Sequence, residues 1–137
     1  MMVLYSAMVI ELINTTAYAL SVKKLQQLAH RALQYIHFTD EEVSVAVISE
    51  KKMQEVNFLY RGKNTPTDVV SFNYGEILLC PRYIEKKYHI KKVAVEEKMY
   101  DLFAHGLVHI AGYTHDTAKE AKEMEEIENK ILRPNVK

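Results

Sequence analysis

Apolar positions recur along this chain with two periods, and the switches between them mark out its elements. From Ser21, a residue type suited to an N-cap, Val22, Leu25, Leu28, Ala29, Ala32, Leu33 and Ile36 follow helical spacing and predict a surface helix with one buried stripe. Before it, Val9 to Ile13 is apolar and β-branched and runs into the turn residues Asn14-Thr15-Thr16, which reads as a strand. After it, Val43, Val45 and Val47 alternate with Ser44, Ala46 and Ile48, predicting a strand buried largely on both faces. Ser49 opens a second helix with the stripe Met53, Val56 and Tyr60. Two short strands, Val69 to Phe72 and Glu76 to Cys80, are separated by a turn at Gly75 and should pair as an antiparallel hairpin.

Pro81 suits the first turn of a short helix through Lys87, and Val93 to Ala111 forms a long one. Thr117-Ala-Lys-Glu120 reads as a capping box opening the last helix, with Ala121, Met124, Ile127 and Ile131 as its stripe and the charged run Lys119 to Glu128 as a solvated face. No repeat, low-complexity tract or linker interrupts the series. The expectation is an α+β fold, a single layer of short mixed strands packed against several helices, in one domain over residues 1–137.

Composition narrows the classes. No run of eighteen apolar residues exists, and the apolar start, Met1 to Ile13, lacks a basic flank and a small-residue cleavage site, so a cytoplasmic protein with no membrane partner is expected. Cys80 is the only cysteine, which rules out an internal disulfide; it reads as a small buried residue at a strand end, with a soft metal ligand as the alternative. Eighteen basic residues balance eighteen acidic ones. A nucleic-acid footprint spread over the whole chain is therefore missing, and any RNA contact must be local.

The chemistry concentrates in His105-Gly-Leu-Val-His109-Ile-Ala-Gly112-Tyr-Thr-His115. Two histidines four apart project from one face of a helix, one turn from each other. A glycine just past the helix end can take the left-handed conformation and return His115 toward the pair. Three imidazoles converging on a point match one metal ion with a position left for water. Zn²⁺, one per chain, is the first choice for such ligands; Ni²⁺ and Cu²⁺ stay open. His30, His37 and His89 lie outside this segment and read as solvent, capping or RNA-side residues.

The histidine pattern is shared by metzincin peptidases, which place a glutamate base directly after the first histidine; here that position is Gly106, which argues against peptidase chemistry. The segment resembles instead the signature H-G-x-L-H-L-x-G-Y-D-H of the YbeY family of metal-dependent single-strand endoribonucleases, with Val108 and Thr114 as departures. Thr114 removes a carboxylate beside His115, for which Asp116 is a partial substitute. A second stretch, Arg61-Gly-Lys-Asn-Thr-Pro-Thr-Asp-Val-Val-Ser-Phe72, resembles the family's R-G-x-x-x-P-T-D-V-L-S-F, departing at Val70. In this order, and followed by a Met-containing acidic helix, the two motifs carry the resemblance over about the last two thirds of the chain. The resemblance implies a zincin-like helix bearing the histidines, hydrolysis of single-stranded RNA phosphodiesters, maturation of ribosomal RNA 3′ ends, ribosome quality control and ribosomal protein partners.

Arg61 offers a planar fork of donors for phosphate oxygens and Lys63 adds a charge, so Arg61 is the catalytic candidate; the alternative is a structural pair with Asp68. Lys86, Lys87, Lys91 and Lys92, interleaved with Tyr83 and Tyr88, form a second candidate RNA surface or simply a solvated face. Ser71 lacks the glycines of a nucleophile elbow and reads as a strand residue. Glu97 and Asp101, eight and four residues before His105, are candidate bases without being distinguishable from solvated carboxylates. A metallopeptidase with a base from elsewhere and a ribosome-assembly factor with a structural zinc remain the competing classes.

Overall fold

The computed structural model describes residues 8–38 and 42–134, so Met1 to Ala7 of the apolar start lie outside it. The element order is β1 (Val9–Asn14), α1 (Val22–Ala32), β2 (Glu42–Val47), α2 (Glu50–Arg61), β3 (Val69–Phe72), β4 (Glu76–Leu79), α3 (Pro81–Lys87), α4 (Lys92–Ile110) and α5 (Ala118–Leu132). The strands make one mixed sheet in the order β1-β2-β4-β3, β1 and β4 both parallel to β2 and β3 antiparallel to β4. This is the α+β layer expected, with the hairpin at β3–β4.

Local chemistry starts the helices. Ser21, Ser49 and Thr117 are extended N-caps whose side-chain oxygens accept from the amides of Lys24 at 3.2 Å, Lys52 at 3.2 Å and Glu120 at 3.1 Å. Each satisfies a donor the first turn would otherwise leave open, worth about 1 kcal/mol. The first helix stops short of its apolar stripe. The amides of Gln34 and Tyr35 turn back to the carbonyls of Arg31 and Ala32, Leu33 is exposed, and Ile36 folds into the core from the turn.

Strand alternation divides the interior in two. Val43, Val45, Val47, Ile77 and Leu79 face α1, α4 and α5 in the larger cluster, around Phe103 and Leu107. Val70, Leu78 and Cys80 face the other way, against Met53 and Val56 of α2. The central strand β2 is thus covered on both faces, as its sequence implied. Cys80 is a free, fully buried residue directly after β4, and burial pushes its thiol pKa up.

One close approach fixes how α4 meets the sheet. A Cβ built on Gly106 would lie 3.0 Å from Ile77 Cδ1 and 3.3 Å from its Cγ1, inside ordinary contact distance. Glycine at this position lets the histidine-bearing helix sit directly on β4. The residue after the first histidine therefore faces the sheet, and a peptidase-type glutamate there would be driven into Ile77.

Candidate metal centre and phosphate cleft

His105 and His109 stand one turn apart near the end of α4, half-buried, and His115 is exposed in the loop that follows. The return between them is made by two hydrogen bonds. The Gly112 amide donates to the His109 carbonyl at 2.9 Å and the Tyr113 amide to the Val108 carbonyl at 3.3 Å, the paired pattern of a Schellman turn. Gly112 has φ 105°, in the region that favours glycine, as the sequence required.

Ligand nitrogens of the three histidines all lie within 4.8 Å of one another. Tetrahedral ligands bound at about 2.0–2.1 Å sit about 3.3 Å apart, so modest side-chain rotation, easiest for exposed His115, closes the set. The donor set fits a divalent ion. His109 is held in the neutral, ligating form: burial first, then the imidazoles of His105 and His115, push its pKa below the usual value.

The last helix does more than the solvated face expected of it. Glu128 Oε1 lies 2.8 Å from His105 Nδ1, which leaves Nε2 as the nitrogen free for a ligand role. The Thr114 hydroxyl donates to the Glu120 carboxylate, tying the His115 loop to the first turn of α5 and lowering the Glu120 pKa. The carboxylate beside position 114 is thus Glu120, whereas Asp116 is exposed. Glu128 had a signal in the sequence: spaced four from Met124 and three from Ile131, it sits at a stripe position where an apolar residue would be normal.

Beside His109 is a cleft of about 200 Å³ lined by Arg61, Ser71, Asn73, His109 and Ile110. Arg61 reaches it from the end of α2, where Gly62 at φ 70° turns the chain away. The loop beyond is held by amides of α2: Asn57 Nδ2 donates to the Thr65 carbonyl at 2.8 Å and Gln54 Nε2 to Asn64 Oδ1 at 3.0 Å. Ser71 pairs with Ile77 in the ladder and so points to the α4 side. It is a strand residue, as expected, with its side chain on the cleft.

Asp68 is not the partner of Arg61. It accepts from Tyr88 Oη at 2.7 Å, Val69 N at 2.8 Å and Lys87 Nζ at 3.0 Å. Burial alone would raise its pKa, but the bonds from Tyr88, Lys87 and Val69 bring it below the usual value. Among the described residues Arg61 and Lys63 enter no ion pair.

The second basic segment is differently disposed. Lys86 pairs with Glu50 at 2.8 Å, Lys87 with Asp68 at 3.0 Å, and the Lys92 ammonium lies 5.0 Å from the centre of the Tyr18 ring; Lys91 is exposed. His30, His37 and His89 are exposed, His89 with φ 53°. Of the candidate bases, Glu97 pairs with Lys24 at 3.1 Å and Asp101 with Arg133 at 3.7 Å, and burial raises the Asp101 pKa.

With this geometry in place, comparison with known proteins is decisive. The family profile described as Endoribonuclease YbeY matches residues 11–135. The chain belongs to the endoribonuclease YbeY family. The match takes in most of β1 and all of α1, which the two motifs alone did not reach. Family relatives named "Endoribonuclease YbeY" include that of Mycoplasmopsis synoviae, 30% identical over 142 aligned positions that cover 90% of this chain and 92% of the relative. That of Petrotoga mobilis is 34% identical, covering 84% and 86%. The alignment with the Buchnera aphidicola relative, also 34% identical, spans 66% of this chain and 64% of the relative. A Thermotoga maritima protein solved in solution shares the fold, with a TM-score of 0.63 at 30% identity over 90% of this chain and 86% of that one.

Proposed function

We propose that the chain hydrolyses phosphodiester bonds of single-stranded RNA at a divalent ion, Zn²⁺ by ligand type, held by His105, His109 and His115. Family membership supports the activity, a metal-dependent endoribonuclease of ribosomal RNA maturation. One observation carries it to this chain's residues: an arginine with no ion-pair partner among the described residues shares a cleft with a histidine of the triad.

Held by His105, His109 and His115, a divalent ion would supply Lewis-acid polarisation of a phosphoryl oxygen and a water of pKa lowered to about 7. The protein's part is positional and electrostatic. Glu128 orients His105 through Nδ1, and the Gly112 turn with the Thr114–Glu120 bond orients His115. Arg61 places its fork on the phosphate oxygens, where negative charge grows toward the transition state and a preorganised donor is worth most. Lys63, next along the same segment, draws the substrate backbone in. Asn73 and Ser71, which also line the cleft, offer neutral hydrogen bonds.

A peptidase is disfavoured by Gly106, whose position faces Ile77 and leaves no room for the required base. A structural zinc is disfavoured because His115 is exposed, His109 lines a cleft, and no fourth protein ligand is grouped with the triad among the described residues. No described helix is long and apolar enough to cross a membrane. The place of action on this reading is the cytoplasm, where ribosomal RNA substrates and ribosomal protein partners meet. The test is chelator-sensitive cleavage of a fluorescent single-stranded RNA by the purified protein, with metal content measured on the same sample.

A further inference from the structure

The cleft is small for a nucleotide. Its volume of about 200 Å³ lies below the roughly 300–1,000 Å³ of typical small-molecule sites, and the one ring among its lining residues is the His109 imidazole. It suits a phosphate. The bases on either side of that phosphate need a surface elsewhere.

One lies around the edge of the same strand. β3 is an outer strand of the sheet, and successive side chains alternate across it, so Ser71 points to the cleft and Phe72 to the α2 side. The Phe72 ring is flanked by two tyrosines, Tyr60 edge-on at 5.0 Å and Tyr74 stacked at 5.3 Å with planes 15° apart. Phe72 covers one side of Tyr74, yet Tyr74 is 60% exposed and Tyr60 62% exposed. Two exposed tyrosines thus flank a partly buried phenylalanine at the surface.

Every member of this group is a chain neighbour of a cleft residue: Tyr60 precedes Arg61, Phe72 lies between Ser71 and Asn73, and Tyr74 follows Asn73. Arg61 and Lys63, without ion pairs among the described residues, supply positive charge beside it. Exposed aromatic faces near cations that can meet phosphate oxygens are what sequence-tolerant single-strand binding uses. We propose that Tyr60, Phe72 and Tyr74 form a stacking platform for unpaired RNA bases flanking the phosphate held at Arg61 and the histidines. A base laid on the open side of Tyr74 extends the Phe72–Tyr74 stack outward. The platform selects single strands, because a paired base has its faces taken by neighbours in the duplex.

The platform rests on the nuclease reading, and the test separates the two. Single-stranded RNA carrying 2-aminopurine beside one chosen linkage is titrated with full-length protein, as wild type, Tyr74→Ala, Tyr60→Ala and Tyr74→Phe; a matched oligomer carries abasic nucleotides there. Stacking on wild type should quench 2-aminopurine, Tyr74→Phe should keep the quench, and Tyr74→Ala and Tyr60→Ala should each weaken binding roughly ten-fold. On abasic RNA the alanine variants should bind like wild type. Equal binding of all variants to both RNAs, or alanine losses that persist on abasic RNA, would overturn the platform and leave these rings to the fold or to a protein partner. Cleavage by wild type, run in parallel, reports on the nuclease reading alone, since quenching is read without turnover.

Discussion

The chain carries two basic segments that look alike in sequence and behave in opposite ways in the fold. Lys86 to Lys92 is largely engaged within the protein: Lys86 by Glu50, Lys87 by Asp68 and Lys92 by the face of Tyr18. Among the described residues Arg61, at the end of α2, and Lys63, in the loop that Asn57 and Gln54 hold in place, enter no ion pair, and Arg61 opens onto the cleft beside His109. A cation's task depends on whether its counter-charge is already in the protein. Engaged cations support the fold, and open ones are available to a ligand.

The sharpest way to break the comparison is Arg61→Ala. Loss of one preorganised donor to a charged transition state costs about 2.7–4 kcal/mol, so RNA cleavage should fall 10²–10³-fold while melting temperature and metal content stay at wild-type values. Arg61→Lys should recover only part, because the fork is lost. Melting that falls in step with activity would instead make Arg61 a structural residue like Lys87.

The same division between engaged and open charges runs along α5, where Glu128 is committed to His105. Glu128→Gln keeps an acceptor but removes the charge, and Glu128→Ala removes both. Metal affinity should drop about 10–100-fold in the alanine variant and less in the glutamine one. Competition with a chromophoric chelator measures it, and unchanged affinity in both would return Glu128 to the solvated face. Gly112→Val is next: a side chain at φ 105° should cost about 1–2 kcal/mol in the melting transition and displace His115.

Asp68→Asn tests the engaged segment. It should destabilise the fold by about 1–2 kcal/mol, with cleavage by the folded fraction unchanged. The pH dependence has a definite sign. Asp68 has a lowered pKa in the folded state, so its stabilisation is present above the unfolded value and is lost as pH falls below about 4; wild type should lose more stability there than Asp68→Asn does. The smallest effect belongs to Lys86→Ala, whose exposed pair with Glu50 is worth less than about 1 kcal/mol. A ten-fold loss of RNA binding in that variant would give the second segment a substrate role after all.

Legibility followed the distance over which each feature is encoded. The caps at Ser21, Ser49 and Thr117 and the turn at Gly112 depend on a few neighbouring residues, and they stand where the sequence put them. The end of α1 was misread because Ile36 keeps helical spacing and is buried, although the chain has already left the helix. Partners far apart were out of reach. Asp68 finds Lys87 and Tyr88 nineteen and twenty residues on, and His105 finds Glu128 twenty-three residues on, across the α4–α5 contact. Gly106 was legible as a missing glutamate, and its packing reason needed Ile77 of the sheet.

The central claim is that one metal ion at the three histidines makes this chain a nuclease, and a single paired experiment tests it most directly. Wild type and His109→Ala are purified identically, and metal per chain and chelator-sensitive cleavage of single-stranded RNA are measured on the same samples at pH 7.5 and again below pH 6, where protonated imidazoles release metal. About one ion per wild-type chain is expected at the higher pH, with loss of both metal and cleavage on acidification. His109→Ala should show neither bound metal nor cleavage. Full metal occupancy in His109→Ala, or RNA cleavage by metal-free wild type, would contradict it.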